Sequence, residues 1–78
     1  MSNYSLEQLK QKLGASGWRA HGRTGDSHHE GTLEDAARAA HARHAEGEPG
    51  HLQEIETEVK VEMMQLQELW RHMGLPVI

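Results

Sequence analysis

LQEIETEVKVEMMQLQELWRHM, residues 52–73, is the stretch whose reading decides the fold, because it carries two hydrophobic periods at once. At about 100° per residue, Leu52, Ile55, Val59, Met63, Leu66, Trp70 and Met73 fall on one helical face, spaced by three or four throughout. Over residues 55–63 the same chain alternates strictly, with Ile55, Thr57, Val59, Val61 and Met63 on one side and Glu56, Glu58, Lys60 and Glu62 on the other. The stripe accounts for seven residues over 22 positions and runs into Gly74-Leu75-Pro76, a helix stop, whereas the alternation accounts for five over nine. The sequence therefore predicts one helix over 52–73, with Leu75 folded back on Trp70 in a Schellman-type contact.

Two further helices are signalled upstream. Ser5 followed by Gln8 is a capping-box pattern that opens a short helix ending near Gly14, with Leu6, Leu9 and Leu13 on one face. Thr32 is an N-cap for a helix reaching about Glu46, with Glu34 and Asp35 in the first turn and Gly47 and Pro49 beyond its end. Leu33, Ala36, Ala37, Ala40 and His44 line one face, and small alanines let the 52–73 helix approach closely as an antiparallel hairpin. Residues 14–31, with five Gly and the run Asp26-Ser27-His28-His29-Glu30, read as a long, mobile Gly/His-rich loop anchored by Trp18. The expected fold is thus mainly α, a single small domain over residues 1–78. The alternative is α/β, with strands near 18–24 and 55–63 paired across a crossover helix.

Composition narrows the function classes. With 78 residues, no Cys and no Phe, the chain has neither a disulfide framework nor a thiol nucleophile, and it buries little surface to spare. No segment approaches the roughly 18 apolar residues of a membrane span, and the N-terminal residues show no targeting pattern, so a cytoplasmic location is expected. At net charge -4, with Lys and Arg scattered, direct nucleic-acid binding is disfavoured.

Seven histidines are the conspicuous chemistry: His21, His28, His29, His41, His44, His51 and His72. His41 and His44, three apart on a helix, are the candidate metal ligands, but no recognised ligand spacing is present and no cofactor is expected. No arrangement of nucleophile, base and orienting acid is legible, and a chain this short hardly encloses a catalytic pocket, so enzymatic activity is not expected. The expected function is a protein-binding module, an accessory subunit or inhibitor of a larger assembly, open to homo-oligomerisation. Met63, Leu66, Trp70, Met73 and Leu75 are the candidate contact residues. Two other functions are weighed beside it. One is a histidine-based metal-binding accessory protein. The other is an acidic nucleic-acid mimic that blocks a basic or DNA-binding partner through Glu54, Glu56, Glu58 and Glu62, spaced as an extended strand would space them.

Overall fold

The computed structural model describes residues 4–22 and 27–76, with Ser27, His28 and His29 described by their backbone. Its elements run α1 (Leu6–Gln11), β1 (Trp18–His21), β2 (Ser27–Gly31), α2 (Leu33–Ala45), β3 (His51–Glu54), β4 (Lys60–Val61) and α3 (Met63–His72). The four strands form one antiparallel sheet in the order β2-β1-β3-β4. The fold is α+β, which overturns the mainly α expectation.

The correction centres on residues 52–62. No helix spans 52–73; β3 and β4 form a hairpin whose turn occupies residues 55–57, and the helix begins at Met63. Four β-branched residues among 55–61, namely Ile55, Thr57, Val59 and Val61, lose side-chain freedom in a helix and favour extended backbone. A helix would also point Val61 away from the stripe, whereas in the hairpin Val61 lies opposite Leu52 and both are buried. Ile55, a member of the stripe, is 40% exposed instead. The alternative with a strand over 55–63 is displaced as well, since β3 lies earlier and Glu58 turns the chain with φ 63°. The turn is closed by Glu58 N–H donating to Glu54 O at 2.8 Å and Glu54 N–H donating to Val59 O at 2.9 Å.

The expected long loop is likewise replaced by two strands, β1 and β2, joined around residues outside the description. In β1, Trp18 and Ala20 are buried while Arg19 and His21 are partly exposed, the alternation of a strand with one face covered. α2 then crosses the covered face, and β3 returns on the other side of β1, pairing Trp18 with Glu54, Ala20 with Leu52 and His21 with His51.

Local signals behave as read. Ser5 and Gln8 form the capping box of α1, and Thr32 caps α2 by accepting from Asp35 N–H at 3.1 Å. At the end of α3, Gly74 at φ 80° donates its N–H to Arg71 O at 3.1 Å and Leu75 donates to Trp70 O at 2.9 Å, the Schellman pair.

One core results. Leu9 of α1, Leu33, Ala36, Ala37 and Ala40 of α2, and Leu66, Leu69 and Trp70 of α3 close over Trp18, Ala20, Leu52 and Val61. The three helices therefore lie on one face of the sheet, and among the described elements none covers the other. Trp70 is fully buried and its indole N–H donates to Ala37 O at 2.9 Å. The Trp18 indole N–H, equally buried, meets no acceptor among the described residues. Trp70→Phe should then cost about 1 kcal/mol more than Trp18→Phe, because only the first removes a made hydrogen bond; paired denaturant unfolding measures the difference.

Gly50 marks the tightest backbone approach. A Cβ there would lie 2.3 Å from His21 O, while at Gly14 it would meet nothing within 4 Å. Gly50→Ala is expected to destabilise by about 1–3 kcal/mol, as overpacking against unyielding backbone does. Gly14→Ala should be neutral or slightly stabilising, and thermal unfolding of both variants checks the contrast.

Candidate functional site

The uncovered sheet face is built from the strand residues that alternate with the core. Register places Glu30, Arg19, Gln53 and Lys60 in one row across β2, β1, β3 and β4, roughly 14 Å from edge to edge at the usual strand spacing. Arg19 donates from Nη2 to Glu30 Oε2 at 2.8 Å. With side chains 33% and 61% exposed, that pair is worth only about 0.2–1 kcal/mol and serves mainly to set the Arg19 rotamer.

A second row holds His21 and His51, directly opposite each other on the two central strands. Their rings stack with centroids 5.0 Å apart and planes 10° from parallel. A β-bulge falls between Ala20 and His21, where the register to β2 shifts. Partial burial holds the His51 pKa below the ordinary 6.5, and the neighbouring His21 and Lys60 push the same way, against the pull of Glu62. Beyond the His21 end of β1, a water-sized cavity of about 10 Å³ is lined by Ala40, Arg43, Glu48, Gly50 and Met63 among others. Arg43 and Glu48 pair across its wall at 2.7 Å.

The expected contact residues lie elsewhere. Leu66 and Trp70 are fully buried, and Met63, Met73 and Leu75 are partly buried against the same core. Truncating them would act on folding first. The most exposed large apolar side chain on α3 is Met64, at 80%, which is not a member of the stripe.

The acids divide. Glu54 is drawn in: its Oε1 accepts from Tyr4 Oη at 2.5 Å and from Thr57 Oγ1 at 2.7 Å. Burial alone would raise its pKa, but the Tyr4 and Thr57 hydrogen bonds and the charge of Lys12 outweigh it and hold the carboxyl below its ordinary value. The same contact raises the Tyr4 pKa, through the hydrogen bond to Glu54 first, then burial and the carboxylate charge. Glu56 and Glu58 are exposed at the β3–β4 turn, and Glu62 is exposed past the other end of β4, as the N-cap of α3. Because that turn interrupts 55–59, they do not form the evenly stepped row of an extended strand.

The candidate metal ligands pack on tryptophan. His41 meets the Trp70 ring edge to face at 5.0 Å and 85°, and His44 lies tilted against it at 5.4 Å. His41 Nε2 is 2.6 Å from Pro76 O; a carbonyl only accepts, so that nitrogen carries the proton and donates. Among the described residues no group of three or more His, Cys, Asp or Glu side chains converges as a metal site. The His28 and His29 side chains lie outside the described residues.

Sequence reasoning does not find Arg19, Gln53, Lys60 or the His21–His51 pair. The alternation Trp18-Arg19-Ala20-His21 is the available signal for β1, but which strand lies beside it depends on register that one sequence does not encode locally. No protein-family model matches the chain, and neither curated proteins nor solved structures give a match. Among the described residues no helix is long and apolar enough to cross a membrane.

Two pKa shifts fix a pH dependence. The lowered His51 value makes its neutral form native, so that contribution is complete above 6.5 and is lost as pH falls through 6.5 toward the folded value. The lowered Glu54 value adds a contribution complete above 4.5 and lost on further acidification. In chelator-treated buffer, the unfolding temperature should fall in two stages below pH 6.5. His51→Gln should flatten the upper stage and Glu54→Gln the lower, as read by thermal scans from pH 7.5 to about pH 3.

Proposed function

We propose that the protein is a non-enzymatic protein-binding module, an accessory subunit or inhibitor that meets its partner through the uncovered sheet face. The observation that carries this reading is the arrangement of the three helices on one side, which leaves a polar four-stranded face bearing Glu30, Arg19, Gln53 and Lys60 open to contact. A rigid sheet presents such groups with little loss of conformational freedom on binding. The cavity of about 10 Å³ is far below the roughly 300 Å³ of a small-molecule site, which favours recognition by surface over chemistry in a pocket.

The reading moves the contact away from the α3 stripe, since Leu66 and Trp70 are committed to the core. Another protein is the preferred partner class, and a second copy of the chain remains within the reading. A cytoplasmic setting agrees with the lack of Cys. Exposed Glu56 and Glu58 at the β3–β4 turn would favour a partner with basic groups at that end.

The test is affinity capture from cell extract with wild-type protein and with an Arg19→Gln, Lys60→Gln double variant, followed by binding measurements on the captured partner. The variant should unfold within a few degrees of the wild-type temperature, the loss expected from the Arg19–Glu30 pair, yet bind about tenfold or more weakly, with wild-type affinity falling as salt rises. Equal binding by the two proteins would sink the assignment of this face.

A further inference from the structure

We propose that two copies of the chain pair face to face through the uncovered sheet surface, with Glu30 of each reaching Lys60 of the other. This deepens the protein-binding reading and rests on its assignment of that face. The row Glu30, Arg19, Gln53 and Lys60 is held in direct register across β2, β1, β3 and β4, so the backbone fixes the order of its charges: negative, positive, neutral, positive. A two-fold axis running along the strands lays a second sheet over the first with this row reversed. Glu30 then faces the second copy's Lys60, and Arg19 faces the second copy's Gln53, whose amide oxygen accepts from a guanidinium. A two-fold running across the strands would instead oppose Glu30 to Glu30, Arg19 to Arg19 and Lys60 to Lys60. Electrostatics therefore selects the first orientation.

The state of the charged groups favours this occupant. Lys60 is exposed and forms no ion pair among the described residues. Glu30 is exposed as well; its Oε2 accepts from Arg19, and a carboxylate has the capacity to take a second cation at Oε1. Stacked sheets lie about 10 Å apart, a gap that extended Lys and Glu side chains bridge from opposite sides. The strand-built face measures roughly 14 Å by 13 Å, so each copy buries on the order of a few hundred Å², less than the roughly 800 Å² a side of a stable interface. The pairing is accordingly weak and concentration-dependent, with its ion pairs setting orientation more than affinity. Because self-pairing and a different partner would occupy one face, the two are mutually exclusive.

The experiment follows the full chain by sedimentation equilibrium and backbone amide shifts from about 20 μM to about 2 mM. The wild type should show a monomer–dimer equilibrium that weakens as salt rises, with concentration-dependent shifts centred on Arg19, Glu30, Gln53 and Lys60. Glu30→Lys sets Lys against Lys at both contacts, and Lys60→Glu sets Glu against Glu. Each variant alone should self-associate at least about tenfold more weakly while its circular dichroism stays unchanged. An equimolar mixture of the two should associate again, since both contacts of the mixed pair are Lys against Glu. A wild type that stays monomeric at about 2 mM, variants that associate as the wild type does, or a mixture that fails to pair would overturn the proposal. If Glu30→Lys does not fold, the decision rests on Lys60→Glu and on the location of the wild-type shifts. None of these outcomes bears on capture of a different protein, which the Arg19→Gln, Lys60→Gln variant decides by itself.

Discussion

The burial of Trp70 between α2 and α3 is the interaction on which the rest of the architecture depends. Its indole N–H reaches Ala37 O only because Ala36, Ala37 and Ala40 present methyl groups where larger side chains would hold the helices apart. The same residue's carbonyl receives Leu75 N–H in the Schellman turn, which brings Pro76 O within reach of His41. α2, α3 and the tail that follows α3 are thereby fastened around one ring, with His41 and His44 packed on it. Helices as short as α1 and α3 have little stability in isolation, and this closure over the sheet supplies it.

How much of this was legible follows from the range of each signal. The caps at Ser5 and Thr32, the alanine face of α2 and the Gly74-Leu75 stop depend on residues within a few positions, and they read correctly. The 52–73 helix did not, because its stripe joins two unrelated patterns: Met63, Leu66, Trp70 and Met73 are helical, while Leu52 and Val59 belong to a hairpin. The turn between those halves, Ile55-Glu56-Thr57, has no Gly, Pro, Asn or Asp, and its left-handed residue is Glu58, so the usual punctuation is missing. The opposite error occurs at Ser27–Gly31, where Gly, His and Ser suggest a loop but pairing with β1 imposes a strand. Tertiary pairing overrides local preference in both places.

The uncovered face was invisible for a related reason. Arg19, Gln53 and Lys60 become neighbours only through two antiparallel registers, and His21 meets His51 across 30 positions of sequence. Each strand residue declares which of two faces it shares, but not which strand stands beside it.

That alternation also separates what the fold requires from what the surface presents. Trp18, Ala20, Leu52 and Val61 close the core from the same strands that carry Arg19, Gln53 and Lys60 outward. Substitution on the outer set changes charge and hydrogen bonding at modest cost to packing, whereas substitution along Leu66 and Trp70 removes the core itself. A charged, hydrogen-bonding face also resists stacking on a second apolar sheet, so a partner docking there would have to match it group for group. Glu56 and Glu58 lie at the β3–β4 turn, Glu62 lies past the other end of β4, and Arg19 and Lys60 lie within the row. The face therefore carries both signs despite the net charge of -4, and complementarity to it would set a partner's orientation as well as its affinity.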